Sequence, residues 1–278
     1  MAMSDASATA PSPTARTPRI EIISAYAIQM WAVAGAEITK LRHDPVELVS
    51  RAIQPVLWLV LFGQVMGRVR GMNTGGLSYE DFLAPGILAQ SVLFAAIFYG
   101  ISAIWERDLG ILQRYLVSPA PRSALIIGKA ISSAVRGLVQ GFIVYLIALA
   151  LGTDISVEPR HILGAAVFIA LGSGLFSTFS LIIACLVRTR ERFMGVGQFL
   201  TMPIFFASNA IYPIDLMPRW LQVISHGNPL TYQVDALRTL MLRGAESSIG
   251  LSIDFLVLMG IAVCLIALAA RLYPRMGT

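Results

Sequence analysis

Long uncharged runs alternate with short polar, mostly basic segments along the whole chain. Residues 82–105 hold no charge, and neither do 162–187 or 193–213. Residues 124–151 are apolar apart from Lys129 and Arg136, and 251–270 apart from Asp254 at the edge. Residues 46–66 form a sixth run, with Glu47 and Arg51 near its start and Pro55 as a kink. A helix needs about 20 apolar residues to cross a bilayer, so this spacing predicts an all-α polytopic membrane protein with six transmembrane helices.

Three segments break the pattern. In residues 25–42, Ile28, Trp31, Ile38 and Leu41 share one helical face while Gln29, Glu37 and Lys40 share the other. That predicts an amphipathic helix, too charged to span and suited to the membrane interface. Residues 214–250 contain short amphipathic pieces, 218–225 and 230–242, broken at His226-Gly227-Asn228-Pro229. Each is too short to cross and could dip into a bilayer only where protein or water satisfies its backbone. Residues 1–19 are mostly Ala, Ser, Thr and Pro, which predicts a disordered tail without the apolar core of a signal peptide. Residues 20–278 then make one membrane domain.

Composition agrees, with 56% hydrophobic and 13% charged residues and a mean hydropathy of +0.72. Soluble domains carry roughly 25% charged residues. Cys185 and Cys264 both lie in apolar runs, which excludes a disulfide framework and reads as small packing residues.

The net charge of +5 sets orientation rather than suggesting nucleic acid. With six spans, one side receives Arg16, Arg19, Lys40, Arg42, Arg51, Arg107, Arg114, Arg122, Lys129, Arg188, Arg190, Arg192, Arg271 and Arg275. The other side receives Arg68, Arg70, Arg160, Arg219, Arg238 and Arg243. The richer side is expected in the cytoplasm, and it holds both termini.

Catalytic chemistry is hard to find. His43, His161 and His226 are far apart, and no H-E-x-x-H, G-x-S-x-G or close set of intramembrane carboxylates occurs. Asp254 reads as a boundary residue. That counts against an ion-coupled secondary transporter, and more strongly against a membrane-embedded lipid-modifying enzyme, and both stay as alternatives. No catalytic residue, metal site or bound cofactor is expected. The nearest thing to a phosphate loop, Gly128-Lys129-Ala130, has Ser123 where the first Gly belongs and lacks the final hydroxyl. ATP and Mg, if used, would be bound by another polypeptide.

Residues 104–122 form the most informative loop. Glu106, Arg107, Asp108 and Arg114 interleave with Leu109, Leu112 and Leu116, and Pro119 and Pro121 follow. This predicts a short amphipathic helix beginning at Glu106, where the helix dipole would also favour the carboxylates. It fits either an interfacial anchor or a docking helix for a soluble partner. In the segment before the last span, Asp235 and Arg238 are three apart, placed to hold the broken helices shut or simply to form a local ion pair.

Glu106-Arg-Asp-Leu-Gly110 with Arg114 and Ser118-Pro-Ala-Pro-Arg122 resembles the cytoplasmic loop of ABC-2-type exporter permeases. Asn228-Pro-Leu-Thr-Tyr-Gln-Val-Asp-Ala-Leu-Arg238 resembles that family's segment before the last span. So does the run from Pro203 to Pro213 with Asp215, Leu216 and Pro218-Arg-Trp220. Drug-resistance permeases of the daunorubicin-exporter type and Nod-factor exporters are the most similar. The resemblance implies an elbow helix at 25–42 and an ATPase-coupling helix with Glu106, Arg107, Asp108, Leu109, Gly110, Leu112 and Arg114. It also implies an extracytoplasmic re-entrant hairpin, with Asn228, Pro229, Tyr232, Asp235 and Arg238 as gate residues. Two permeases, identical or close homologues, would pair with two ATPase subunits in the plasma (inner) membrane, amid its lipids and without nucleic acid. The cargo would be a hydrophobic or amphipathic drug, lipid or glycolipid-like compound. Phe98, Phe142 and Phe206 are candidate pathway residues, although span aromatics also face lipid or pack. Arg136, on the face of Lys129, would either snorkel to the interface or accept anionic head groups.

Overall fold

The computed structural model describes residues 35, 39, 45–66, 76–110, 122–187 and 189–273. Among them are eight α-helices and no strand. In chain order they are α1 (Pro45–Met66), α2 (Tyr79–Asp108), α3 (Arg122–Ala150), α4 (Pro159–Leu186) and α5 (Arg190–Phe206). A 3-10 turn (Ile214–Leu216) then leads to α6 (Arg219–His226), α7 (Pro229–Met241) and α8 (Leu251–Leu272). The predicted tail, the elbow helix apart from helical Gly35 and Thr39, and Leu112 and Arg114 lie outside the described residues.

Caps explain the main boundaries. Ser78 starts α2, accepting a hydrogen bond from the Asp81 amide at 3.1 Å, with Glu80 and Asp81 in the first turn. Gly110, at φ 70°, ends the turn after α2 in a conformation that costs glycine little. Pro159 opens α4 and Pro229 opens α7, where the missing N–H is no loss.

The helix α2 is the axis of the bundle. Every residue from Phe82 to Leu93 is buried, as α4, α3, α1, α7 and α5 surround it. Its 30 residues extend about 45 Å. The main core joins α2 to Phe168, Ile169 and Phe176 of α4, Val234 and Leu237 of α7, and Leu258 of α8. A smaller core lies at the far end, built from Ile104, Ile126, Ile183, Phe193 and Tyr273. It gathers the end of α2, the start of α3, the end of α4, the start of α5 and the end of α8 at one pole. Small residues bring α3 close to α4, since Gly137 abuts Ser173 and Gly141, four positions on, abuts Ile169. Ser133 and Ser173 add reciprocal hydrogen bonds there.

Four helices are long and apolar enough to cross a membrane: Tyr79–Asp108, Ser123–Ala150, Pro159–Leu186 and Leu251–Leu272. The other two of the six expected spans do not meet that measure among the described residues. In α1 the apolar stretch is Ile53–Gly63, because Glu47, Arg51 and Gln54 occupy its start. In α5 the helix has 17 residues and stops at Phe206, seven positions before Pro213. The continuation, residues 207–212, is uncharged but folds as turns. Ala207 and Ser208 amides bond back to Pro203 and Phe205 carbonyls, and the Tyr212 hydroxyl caps Phe206.

Candidate functional site

At the pole of the smaller core, Glu106, Arg107 and Asp108 form the last turn of α2 rather than the first turn of a separate helix. The expected dipole support is therefore reversed, since a helix C-terminus disfavours carboxylates. Cations replace it. Lys129 Nζ of α3 binds Glu106 Oε2 at 2.6 Å, with the two side chains 4% and 11% exposed. Asp108 lies between Arg107 at 3.0 Å and Arg190 of α5 at 2.7 Å. The Arg190 guanidinium also stacks 3.8 Å over the Trp105 ring. Leu109 and Gly110 follow as a turn, Leu109 exposed. Lys129, Arg190 and Trp105 were missed by sequence reasoning because their partners lie on other helices.

At the opposite pole, α6 and α7 are joined through Gly227 and Asn228. Asn228 caps α7, accepting from the Leu230 amide at 3.0 Å, and its Nδ2 donates to Ile204 O of α5 at 2.7 Å. Tyr232 donates to His226 O at 2.7 Å, locking the corner. Pro229 borders the recess between this corner and α5.

The local ion pair between Asp235 and Arg238 does not form. Asp235 accepts from Ser247 Oγ at 2.6 Å, from Ser248 Oγ and N, and from the Ile249 amide at 3.2 Å, clasping the loop before α8. Arg238 donates to Asn209 O at 2.7 Å and Phe82 O at 3.4 Å, with its guanidinium 3.8 Å over the Phe82 ring. Burial lowers the Arg238 pKa to about 10, against an upward pull from Asp235, so it stays charged at neutral pH. Asn228, Asp235 and Arg238 thus strap α7 to α5, the α8 loop and α2, while Tyr232 holds the corner with α6. Gly86 of α2 completes the strap: a Cβ there would sit 2.2 Å from Ala210 O, so only glycine fits.

The four pathway residues do not converge. Phe98 lines a cavity of about 320 Å³ between α1 and α2, with Gln54, Pro55, Gln90, Ser91 and Phe94. The Phe94 and Phe98 rings stack at 6.3 Å. Phe206 lines a separate apolar recess of about 550 Å³ with Pro203, Tyr212, Trp220 and Ile224. Phe142 is 62% exposed on the outer surface of α3. Arg136 lies 5.3 Å from the centroid of Tyr99, whose ring also receives Lys129 at 5.9 Å. Aromatic identity alone did not reveal which face of a helix points inward.

A bundle of apolar helices, a strapped hairpin at one pole and paired charges at the other define a helical membrane transport protein. The chain belongs to the ABC-2 type transporter family, whose profile matches residues 28–242. It is 33% identical to the ycf38 protein of Cyanophora paradoxa, a candidate transport permease by name, over 76% of this chain and 73% of that protein. It is 24% identical to the daunorubicin resistance ABC transporter permease protein DrrB1 of Streptomyces coeruleorubidus, over 93% of this chain and 89% of that one. The inner membrane transport permease YadH of Escherichia coli strain K12 is 27% identical over 77% of this chain and 82% of its own length. Each of these proteins is named as a transport permease, and membership of the ABC-2 type transporter family makes this chain a transport protein rather than an enzyme.

Proposed function

We propose that the chain is the membrane subunit of an ATP-driven exporter of hydrophobic or amphipathic compounds, with ATP and Mg bound by a separate ATPase subunit. The observation that supports this best is the continuity of α2. One helix ends in Glu106, Arg107 and Asp108, lines the cavity at Phe94 and Phe98, and abuts Ala210 and Arg238 at the hairpin. A displacement imposed at Asp108 would reach the cavity and Gly86 along one helix, with Pro85 interrupting the hydrogen-bond ladder just before Phe82. The Asp108 pole is the docking face for the ATPase in this reading, and Leu112 and Arg114 continue it.

The complex would contain two such permeases in the plasma (inner) membrane, with α1 and α5 completing six spans and both termini in the cytoplasm. The hairpin would then lie on the extracytoplasmic side, with Asn228, Pro229, Tyr232, Asp235 and Arg238 closing the exit. The cavity between α1 and α2 offers stacked rings beside amide and hydroxyl groups, which suits a planar or amphipathic cargo. The likeness to DrrB1 points the same way, toward drug-like compounds.

Reconstitution with the cognate ATPase, screening which compounds stimulate hydrolysis, tests the reading. Stimulated hydrolysis with vectorial movement is expected, and no hydrolysis from the purified chain alone. Transport that needs an ion gradient and ignores the ATPase would overturn it. Orientation is checked separately with single cysteines in a background without Cys185 and Cys264. An impermeant reagent should label Glu246→Cys in intact cells and leave Thr278→Cys untouched.

A further inference from the structure

A cavity of about 640 Å³ lies between the start of α2, the turn after α5, α6, α7 and the loop before α8. The transport reading gives it no occupant.

Its floor is polar and incomplete. Arg238 and Asn209 both line it, 9% and 2% exposed. A terminal nitrogen of Arg238 donates to the Asn209 backbone carbonyl at 2.7 Å, so the two residues are neighbours. Yet Arg238 Nε, a donor, and Asn209 Oδ1, an acceptor, have no hydrogen-bond partner. Native interiors rarely leave such groups unmade, because each has lost its water. One hydroxyl answers both, accepting from Nε–H and donating to Oδ1. A carboxylate or phosphate could serve only the first, and an ammonium only the second.

The rest of the lining is acidic above and apolar at the sides. Asp215 and Glu246 line the cavity, are exposed, and make no ion pair among the described residues. Asp235 adds a third carboxylate, its oxygens held by Ser247, Ser248 and Ile249. Against the three stand the Arg238 guanidinium and the ring of His226, whose Nδ1 bonds Gln222 O. Such a lining attracts a cation. A metal ion is not the match, since among the described residues no three His, Cys, Asp or Glu side chains converge to hold one. The walls at Phe82, Ile214 and Ile249 suit carbon.

We propose that this cavity binds the head of an amino alcohol, an organic ammonium ion with a hydroxyl a few bonds away. The hydroxyl bridges Arg238 Nε and Asn209 Oδ1, the ammonium lies toward Asp215 and Glu246, and the carbons between cover the apolar wall. A membrane amphiphile and a free solute can present the same head. The site is built from this chain alone, so it stands or falls independently of whether ATP drives transport.

The test uses the full-length protein in phosphatidylcholine nanodiscs, where both faces meet solvent. In a background without Cys185 and Cys264, Ala245→Cys places a thiol on the cavity wall, and its alkylation by an impermeant maleimide reports occupancy. N-octylethanolamine should slow alkylation at concentrations about fivefold or more below those needed by octylamine, which lacks the hydroxyl, or ethylene glycol octyl ether, which lacks the ammonium. Titration calorimetry on the unsubstituted protein should return the same ranking. Ethanolamine separates the sources: comparable protection without the octyl chain assigns the site to a free solute, and protection by the octyl compound alone assigns it to a membrane amphiphile. Asp215→Asn with Glu246→Gln should bring N-octylethanolamine to the level of the ether while the thermal midpoint holds. The proposal is overturned if the compounds bind equally or none binds, which leaves water alone on the floor. It is also overturned if the double acid variant keeps the preference for the amino alcohol.

Discussion

At the Asp108 pole, α2 meets its neighbours through charged side chains, Glu106 with Lys129 and Asp108 with Arg190. At the Ser78 pole it meets them through backbone, with the Ala210 carbonyl against Gly86 and its own Phe82 carbonyl held by Arg238. Long charged side chains can exchange partners at modest cost when they are part-exposed, as Asp108 and Arg190 are. A carbonyl held in a buried hydrogen bond or pressed against a helix has no such freedom. One pole is built to accept a changing partner and the other to keep a shape.

The largest effect expected from breaking this contrast is at Lys129. Lys129→Ala strands buried Glu106 and should destabilise the protein by about 3–5 kcal/mol, read as lost folded yield and a lowered thermal midpoint in detergent. The double change Glu106→Gln with Lys129→Met should recover most of that stability. Retained destabilisation in the double variant would show that packing, not charge, is at stake. Next comes Gly86→Ala, whose methyl must displace the Ala210 backbone. A loss of about 1–3 kcal/mol is expected, with no rescue by neighbouring side-chain changes.

Asn228→Ala removes the cap of α7 and the donor to Ile204 together. A cost of about 1–2 kcal/mol follows, together with faster exchange of the Leu230 amide. Smallest in stability is the double variant Arg107→Ala, Asp108→Ala. The pairs there are part-exposed and screened by solvent, so the thermal midpoint should barely move. Substrate-stimulated hydrolysis and export should nevertheless be lost. Normal export would remove the coupling role from these residues.

The long buried helices were legible because an uncharged run of such length has few other ways to exist. Residues 82–105 reappear inside α2 and 162–186 inside α4, with Val187 left as the cap that ends it. The hairpin was legible for the opposite reason: short polar helices flanking Gly227, Asn228 and Pro229 cannot span. The end of α5 was not, because residues 207–213 are uncharged and stop being helical through bonds to Phe205 and Phe206 that no periodicity announces. Glu106 to Asp108 were assigned to the wrong end of a helix because Pro119 and Pro121 drew attention from Gly110, where α2 breaks. Asp254 lies at the edge of an apolar run in the sequence yet is fully buried, and Asp235 clasps the loop before α8 rather than pairing with Arg238.

The contact between Gly86 and Ala210 has a mechanical meaning. Side chains between two elements act as springs, absorbing part of a movement in rotamer changes. Backbone against backbone has no such travel, because packed interiors are stiff and bond geometry is stiffer still. The meeting of α2 with the turn after α5 is therefore a hard stop. Whatever part of an axial stroke of α2 survives to residue 86 must either move the turn at 207–210 as a body or not move it at all. In the exporter proposed above, an exit worked by such a stop would open at a threshold rather than in proportion to the force applied.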